Sequence, residues 1–414
     1  MNRSAQVMSA IQQQTNPATA SIAAPAQRDD PFAVYIHIPF CKHICPYCDF
    51  NTYAGQESKI PQYVEALARE MALWSSDFGS RAAASVFLGG GTPSLLTPTQ
   101  IRTLLDACDA AFSIPPEAEI TIETNPDDLS VPYCEGLLEA GVNRISIGVQ
   151  SLDRRGLRTL GRRHEQHQIG AAVAAARAAG FANLSLDMIF GWPGQSLSGW
   201  RNELQAVLGG EIGGEPPDHL SLYNLIVEPG TPMADAVKRG ILVPVSDDET
   251  AGFFESAMEF LAGAGWIHYE IANWAATSAH HSRHNAVYWR NGEYAGIGAG
   301  AHGHVAGKRS MNHLGPDRYM SSLQASMKPV SNVEVIDDRT AMAETMMLGL
   351  RLIQTGVSEA AFVRRHGVEL RARYVQQIER FVSLGLLEWD GYNLRLTARG
   401  VMLANSVCSE FLPS

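Results

Sequence analysis

Short apolar runs alternate with helix-like segments through the first half of the chain. Six of these runs have the length of β-strands, and apolar residues recur at helical spacing in the segments between them. The predicted strands span residues 34–38, 84–88, 119–124, 144–149, 184–189 and 219–225. Strands that alternate with helices predict a parallel sheet, and the curvature of such a sheet can close part of a barrel. The chain is therefore predicted to have an α/β fold.

The same pattern divides the chain into four regions. The first region, residues 1–30, is rich in Ala, Gln, Ser and Thr and lacks the continuous apolar stretch of a signal peptide. We therefore predict that it is a disordered tail. The third has weaker periodicity and contains seven of the chain's thirteen histidines. The four predicted regions are the N-terminal tail at 1–30, the alternating core at 31–230, a histidine-rich extension at 231–333 and a C-terminal helical domain at 334–414.

The C-terminal region is predicted to contain a β-hairpin among its helices. The hairpin spans residues 386–396 and turns at Asp390 and Gly391, a dipeptide that favours tight turns. Helices followed by a hairpin and one more helix predict a winged-helix-like shape. We expect a lid or a partner surface here rather than a DNA-binding surface.

Composition narrows the class of protein. Of the 414 residues, 45% are hydrophobic and 18% are charged, which predicts a soluble globular protein of two or three domains. The net charge of -11 argues against nucleic acid as a partner, because phosphate binding requires a basic surface. No run of 18 apolar residues occurs, so no transmembrane segment is expected.

Three cysteines follow the first predicted strand at C-x3-C-x2-C spacing: Cys41, Cys45 and Cys48. Three thiolates on one loop can hold three irons of a four-iron, four-sulfur (4Fe-4S) cluster and leave the fourth iron open to a ligand. The alternatives are a zinc site or a set of buried thiols. Zinc prefers four ligands, usually as two C-x2-C pairs, and no second pair occurs.

The remaining cysteines indicate the redox environment. They are isolated in helix-like contexts and are expected to be buried thiols. These residues are Cys108, Cys134 and Cys408. An oxygen-sensitive cluster and unpaired thiols both favour a reducing cytoplasm.

Two further features stand at predicted strand ends, where parallel α/β folds build their sites. Gly89-Gly90-Gly91-Thr92-Pro93 offers bare backbone that can approach a ligand closely and present carbonyls to an ammonium group, although a glycine run alone usually marks only a turn. Glu123 ends the next strand and is suited to accept hydrogen bonds from a ribose; the alternative is a helix cap or an ion-paired carboxylate.

The cysteine spacing after a strand resembles the radical S-adenosylmethionine (SAM) superfamily, in which the open iron chelates the amino and carboxylate groups of SAM. Further positions recur in order and narrow the likeness. They are Tyr35, the glycine run, Glu123, Gln150, Arg162 and Asp187. Over residues 33–400 the chain resembles oxygen-independent coproporphyrinogen III oxidase and its sister family, the HemW-type heme chaperones. This likeness implies an incomplete (β/α)6 barrel.

The resemblance also assigns site residues by position. It implies that Cys41, Cys45 and Cys48 ligate the cluster. The residues implied to contact cluster-bound SAM are Tyr35, Gly90 and Glu123. Positions that line a second SAM site in the oxidase are matched by Tyr47, Gly91, Thr92, Gln150, Arg162 and Asp187.

Two features separate the sister families. The oxidase has a fourth cysteine two residues after the third, where this chain has Phe50 and the chaperones have an aromatic residue. The H-N-x-x-Y-W signature of the chaperones is matched by residues 284–289, and their Y-E-I-S-N-F segment by residues 269–274. The heme candidates are therefore His284, Asn285, Tyr288 and Trp289. Histidine is a common axial ligand of heme iron, and the neighbouring His280 and His281 remain alternatives, as does a structural role for His284.

The expected function is that of a heme chaperone, which binds heme and delivers it to an acceptor protein such as a membrane respiratory enzyme. The cluster and SAM are expected to support or regulate this role. The alternatives are the oxidase reaction, which is the oxidative decarboxylation of coproporphyrinogen III, and radical methylation or another SAM-dependent reaction. Phe50 and the hexad 284–289 argue against oxidase activity, whereas cleavage of SAM requires only the cluster and SAM.

Overall fold

A mixed sheet of twelve strands organises the chain in the computed structural model, which describes residues 32–413. The predicted disordered tail at 1–30 lies outside the described residues. The strands in chain order are β1 Phe32–Ile38, β2 Phe40–Cys41, β3 Tyr53–Ala54, β4 Ala83–Gly90, β5 Glu119–Thr124, β6 Arg144–Gln150, β7 Leu184–Phe190, β8 His219–Asn224, β9 Ile267–Glu270, β10 Asn273–Ala275, β11 Tyr294–Ile297, β12 His302–Val305, β13 Lys308–Asn312, β14 Val330–Val335, β15 Val357–Ser358, β16 Leu387–Trp389 and β17 Asn393–Leu396. The order in the large sheet is β14-β13-β12-β11-β1-β4-β5-β6-β7-β8-β10-β9.

The centre of this sheet is the predicted parallel core. Strands β1, β4, β5, β6, β7 and β8 are neighbours in sequence order and pair in parallel. Alternate side chains on β1 point to the outer face of the barrel, where they are fully buried in the hydrophobic core. These are Val34, Ile36 and Ile38. The prediction of an α/β, partly closed barrel is confirmed. It stays open because β1 and β8 do not pair with each other; each pairs with a strand from the region after residue 230.

The helices between the core strands cover its outer face. The helices in chain order are α1 Ile60–Phe78, α2 Pro98–Phe112, α3 Val131–Ala140, α4 Arg154–Thr159, α5 Gln166–Ala179, α6 Leu197–Leu208, α7 Pro232–Lys238, α8 Asp247–Gly263, α9 Arg283–Trp289, α10 Pro316–Gln324, α11 Asp338–Gly349, α12 Glu359–His366, α13 Leu370–Arg373, α14 Val375–Ser383, α15 Ala398–Met402 and α16 Ala404–Ser409. Helix α2 begins with a capping box formed by Thr97 and Gln100, and Pro98 lies in its first turn. Short 3-10 turns occupy Glu57–Lys59, Pro93–Leu95, Pro126–Asp128 and Ser278–His280.

The region after residue 230 extends both edges of the sheet. Strands β9 and β10 add antiparallel next to β8. On the other side β11 pairs in parallel with β1, and β12, β13 and β14 follow as an antiparallel meander. The inner face of the barrel therefore continues sideways beyond β1.

The C-terminal helices have a core of their own around a three-stranded sheet in the order β15-β17-β16. The predicted hairpin is formed by β16 and β17. The Asp390 carboxylate accepts hydrogen bonds from the backbone N–H groups of Tyr392 (2.9 Å) and Asn393 (2.8 Å), which fixes the turn. Helices around this small sheet confirm the predicted winged-helix-like region. Among residues 32–413, no helix has the length and apolar character needed to cross a membrane.

Candidate functional site

The inner face of the barrel is polar, in contrast to its outer face. Inward positions of successive core strands carry hydroxyl, imidazole and charged groups that are shielded from bulk solvent. Buried polar residues on these strands include Ser85, Glu119, Thr121, Arg144, Ser146, Ser185, His219 and Ser221. Burying so many polar groups is costly unless they bind one another or a ligand, so the interior of the barrel is a candidate binding site.

The cysteine loop closes the carboxyl end of this barrel. Strand β2, which includes Cys41, pairs with β3, and this pairing brings both ends of the loop together. The backbone N–H of Cys48 donates to the carbonyl of Cys45 at 3.0 Å, which tightens the turn between these two thiols. Cys41 is buried and the other two are half-buried. The three sulfur atoms are thus presented by a single compact loop.

Polar groups surround the thiols. The Thr92 hydroxyl donates to Cys41 Sγ at 3.4 Å, and Arg162 Nη1 donates to Cys45 Sγ at 3.5 Å. Burial raises the pKa of Cys41, and a hydrogen bond from Thr92 opposes that rise. Burial also raises the pKa of Cys48, where hydrogen bonds from Phe50 and Thr52 oppose it. Donors aimed at sulfur stabilise the thiolate form, which is the form that binds metal.

The donor set fits an iron–sulfur cluster better than a single metal ion. No group of three or more His, Cys, Asp or Glu side chains within residues 32–413 surrounds one ion position. Three thiolates that each bind a different iron of a cube lie farther apart than donors to one ion. The loop offers three thiols where zinc prefers four ligands, and these free thiols with sulfur-directed donors fit a cluster.

The glycine run lies against the cysteine loop. Gly90 has φ +112°, a conformation that favours glycine, and its N–H donates to Glu123 Oε2 at 3.0 Å. A Cβ on Gly91 would lie 2.8 Å from the carbonyl oxygens of Ile38 and Phe40. The sequence-based expectation was that the bare backbone leaves space for a ligand. At Gly91 that space is filled by the backbone of residues 38–40, so the missing side chain permits two backbone segments to meet.

Tyr35 and Glu123 face each other inside the barrel. The Tyr35 hydroxyl is hydrogen-bonded to His37 Nδ1 at 3.0 Å. Burial, followed by the nearby Asp187 carboxylate, raises the pKa of Glu123 to about 7. Asp187 accepts hydrogen bonds from the Ser146 hydroxyl, and burial raises its pKa as well. Both carboxylates therefore hold protons more tightly than an exposed acid.

The residues implied for a second SAM molecule do not all lie together. Arg162 Nη2 donates to Asn125 Oδ1 at 2.5 Å and to the Gly148 carbonyl at 3.0 Å, and Arg162 also bonds the Tyr47 side chain. Gln150, at the end of β6, has a positive φ of 66°. Its side-chain amide and the Arg162 guanidinium both lie beside Gly148, where a Cβ would contact them. Tyr47, Thr92, Gln150 and Arg162 thus lie on the loop side of the barrel. Asp187 lies deeper, in the polar interior.

The predicted heme hexad, residues 284–289, makes up all of helix α9 except its first residue, Arg283. The His284 imidazole is buried, and both of its nitrogens are engaged: Nδ1 with the Ser85 hydroxyl and Nε2 with the Tyr288 hydroxyl, each at 2.9 Å. Burial, with a contribution from Arg144, lowers the pKa of His284 to about 3, so the imidazole is neutral at pH 7. Iron ligation by His284 would require one of these hydrogen bonds to break. This part of the prediction remains untested.

Two cavities meet at this helix. The smaller, of about 200 Å³, is the polar interior and is lined by residues that include Arg144, Asp187, His284 and Asn285. The larger, of about 780 Å³, runs along the sideways extension of the sheet. Its walls include Phe50, Trp289, Tyr294, His302, His304 and Met347. Tyr35, Glu123 and Tyr288 line both cavities.

Three of the residues in these cavities were not identified from the sequence. Arg144 is buried at the start of β6, its Nε lacks a hydrogen-bond partner in the described part of the chain, and it lines the polar interior. A charged residue at an inward strand position was the available signal. His302 and His304 were recognised only as members of a histidine-rich stretch, and no local motif marks them.

Comparison with families of known proteins matches two parts of the chain. The radical SAM superfamily model matches residues 35–206, and the HemN C-terminal domain model matches residues 336–403. The solved coproporphyrinogen III oxidase (HemN) of Escherichia coli superposes with a TM-score of 0.79 at 22% identity, and the match covers 93% of this chain and 91% of that one. This likeness shows the fold.

Curated relatives match over almost the full chain. The heme chaperone HemW of Bacillus subtilis is 36% identical over 382 residues, which cover 92% of this chain and 99% of that protein. The heme chaperone HemW of Mycobacterium tuberculosis is 35% identical over 385 residues, covering 92% and 95%. The mitochondrial radical S-adenosyl methionine domain-containing protein 1 of Mus musculus is 31% identical over 400 residues, covering 92% and 87%.

Proposed function

The chain belongs to the HemW family within the radical SAM superfamily, and from this membership we propose that it is a heme chaperone that binds heme and delivers it to an acceptor protein. The observation that carries the proposal is the cavity of about 780 Å³ along the sheet extension. Tyr288 and Trp289 of the hexad form one of its walls, and apolar side chains such as Met347 and Leu348 form another. A large, mostly apolar cavity with a few polar groups suits a flat macrocycle.

The cysteine loop is proposed to hold a 4Fe-4S cluster through Cys41, Cys45 and Cys48. A cluster with one open iron can bind SAM and supply it with an electron. Thr92 and Arg162 would stabilise the thiolates through the hydrogen bonds that they already donate to sulfur.

SAM is proposed to bind between the glycine run and the barrel interior. Tyr35, Gly90 and Glu123 lie on this path, and the Glu123 carboxylate retains an oxygen that can accept from a ribose hydroxyl. Binding of a second SAM by Tyr47, Gly91, Thr92, Gln150, Arg162 and Asp187 has weaker support, because Asp187 lies deeper than the others and Gly91 packs against backbone.

The first alternative is the oxidase reaction. The similarity to the solved oxidase shows the fold and nothing about the reaction. At the position of the oxidase's fourth cysteine, Phe50 is 68% exposed and lines the mouth of the large cavity. An exposed aromatic side chain there suits contact with a porphyrin face better than redox chemistry.

The acceptor is proposed to be a heme protein, such as a membrane respiratory enzyme, that the chain meets in the cytoplasm. The acidic balance of the chain, with a net charge of -11, disfavours nucleic acid as a partner.

One sample can separate the two functions. The protein is reconstituted anaerobically with iron and sulfide, titrated with heme by visible absorption, and assayed for conversion of coproporphyrinogen III. We expect saturable heme binding and no conversion. Steady decarboxylation together with no heme binding would instead identify an oxidase.

A further inference from the structure

The large cavity is lined by His37 and the smaller one beside it by His284, and both imidazoles are fully engaged. The imidazoles of His37 and His284 each use both nitrogens: His37 bonds the Tyr35 hydroxyl and the Asn51 carbonyl, and His284 bonds Ser85 and Tyr288. A ligand that binds iron must present a nitrogen lone pair to it. Neither of these imidazoles can do so without losing an existing hydrogen bond.

Strand β12 carries two other histidines, His302 and His304, into the large cavity. His302 and His304 are two residues apart, so they lie on the same face of the strand. His304 is opposite Tyr294 in the sheet, and Tyr294 lies on the same face as Tyr35. Because Tyr35 lines both cavities, this face is the inner one. Both imidazoles therefore line the large cavity, as Tyr288 and Trp289 of helix α9 do.

The two histidines of β12 differ in freedom. His304 is buried, packs edge-on against Tyr294, and its Nδ1 is hydrogen-bonded to the Gly292 carbonyl at 3.2 Å. His302 is exposed, and within residues 32–413 its imidazole makes no hydrogen bond or ion pair. Although the residue as a whole is exposed, partial desolvation of its ring beside the cavity and the nearby Arg309 lower the pKa of His302, which keeps the imidazole neutral at pH 7. Coordination by His302 therefore breaks no existing interaction.

The other walls of the cavity suit the body and edge of a porphyrin. Phe50 and Leu314, which are 68% and 52% exposed, place apolar side chains at the mouth. The cation in the cavity, Arg309, is already paired with Glu344 at 2.6 Å and Glu334 at 3.2 Å. A heme carboxylate would have to compete with these two glutamates for Arg309. The heme iron, in contrast, finds an imidazole without a partner in His302.

We propose that His302 supplies an axial ligand to the iron of bound heme, and that His284 acts as a positioning residue which holds Tyr288 in the wall of the same cavity. This inference rests on the proposed heme-binding function and assigns the ligand within it. Heme iron is commonly held by one histidine, and a neutral imidazole on a strand has the reach and chemistry for that bond.

The test compares single variants of the full-length, cluster-reconstituted protein in an anaerobic titration with heme. For His302→Ala we expect an altered Soret band and electron paramagnetic resonance spectrum of bound heme, and affinity weakened by roughly tenfold or more. Added imidazole should restore the wild-type spectrum, which a merely structural defect would not allow. His167→Ala, at an exposed position of helix α5, is the matched control and should behave as wild type.

Further variants decide between the candidate ligands. His284→Ala should weaken binding through the loss of Tyr288 positioning while keeping the wild-type Soret band. A wild-type spectrum in His302→Ala would overturn the assignment, and so would a changed spectrum confined to His284→Ala or His304→Ala. In each of those cases heme still binds and the proposed function stands. Absence of heme binding by the wild-type protein, with its cluster intact, would overturn the proposed function itself.

Discussion

At the scale of single residues, the three loop cysteines are the proposed cluster ligands, and the other thiols of the described chain are poorly suited to replace them. The other thiols, Cys108 and Cys134 among them, are buried in helices of the outer layer. Burial raises the pKa of Cys134 to about 11 and that of Cys108 further, so both are protonated and inert at pH 7. Only the loop thiols combine access with sulfur-directed hydrogen bonds.

Replacing one loop cysteine should therefore abolish the cluster. Cys45→Ala removes one of the three proposed iron ligands together with the acceptor of the Arg162 hydrogen bond. We expect loss of the brown chromophore and of bound iron and sulfide after anaerobic reconstitution. Cys108→Ala and Cys134→Ala serve as controls and should load iron as wild type does. Full iron loading in Cys45→Ala would contradict the ligand assignment.

The raised pKa of Glu123 makes SAM binding depend on pH. Its pKa in the free protein is about 7, and the ionised form is the better acceptor for ribose hydroxyls. As pH rises through about 7, the carboxyl loses its proton, so SAM affinity should rise between about pH 6 and about pH 8. Calorimetric titration with SAM at both pH values measures the effect.

Substitution at Glu123 provides the control for this pH dependence. Glu123→Gln removes the titrating group and weakens one hydrogen bond, which corresponds to about 0.5–1.5 kcal/mol, or up to roughly tenfold in affinity. The pH dependence should flatten while cluster content stays unchanged. Glu117→Gln, at an exposed position before β5, should retain the wild-type profile. If Glu123→Gln keeps the full pH dependence, another group is responsible.

At the scale of elements, a buried carboxylate joins the sheet extension to the core. Glu70 on α1 is fully buried and accepts four hydrogen bonds: from Trp74 and Asn312 at Oε1, and from the Gly298 N–H and the Tyr319 hydroxyl at Oε2. These donors come from α1, β13, the loop after β11 and α10. One side chain thus ties together segments that are more than 200 residues apart in sequence.

Removing this acceptor should destabilise the fold. Glu70→Leu keeps similar bulk but leaves buried donors unpaired, each of which costs about 1–3 kcal/mol. We expect the free energy of unfolding, measured by denaturant titration, to fall by at least about 3 kcal/mol. The matched control is Glu65→Leu on the same helix, where the side chain is 69% exposed and the change should stay within about 0.5 kcal/mol. Equal stability of the two variants would show that the network contributes little.

The sequence predicts some elements well and others not at all, for a physical reason. The six core strands were placed to within about two residues, because their buried runs are continuous and apolar on the outer face. Strands β11 to β14 were missed, because their inward positions carry polar residues such as His302 and Arg309 that face a cavity. Such strands show neither an apolar run nor a clear alternation.

The same contrast applies to the candidate site. The cysteine loop concentrates its chemistry in eight consecutive residues, so spacing alone reveals it. The large cavity is built from segments far apart in sequence, and no local pattern indicates that His302 and Tyr288 line the same cavity. The sequence also identified His284 without showing that its imidazole is already hydrogen-bonded on both sides.

At the scale of the whole molecule, the large cavity belongs to two parts of the chain. The sheet extension and the barrel supply most of its walls, with the larger share from the extension, and helix α11 of the C-terminal domain supplies Glu344, Met347 and Leu348. The two parts are held together at Asn291, whose side chain donates to Thr345 Oγ1 at 3.2 Å and whose carbonyl accepts from Arg365 at 2.6 Å. Heme binding should therefore depend on the C-terminal domain, whereas the cluster and SAM should not.

A charge placed on the cavity wall of α11 tests this dependence. Met347→Glu replaces a half-buried apolar side chain by a carboxylate in the cavity wall. The apolar contact that is lost amounts to about 1.5–3 kcal/mol, so heme binding should weaken roughly tenfold or more. Met347→Leu keeps the wall apolar and should bind as wild type does, and Val382→Glu places the same charge on an exposed position of α14. We expect iron content and SAM affinity to be equal in all three variants. Unchanged heme affinity in Met347→Glu would mean that heme binds elsewhere, whereas loss of cluster together with heme would mean that the two sites are not separable.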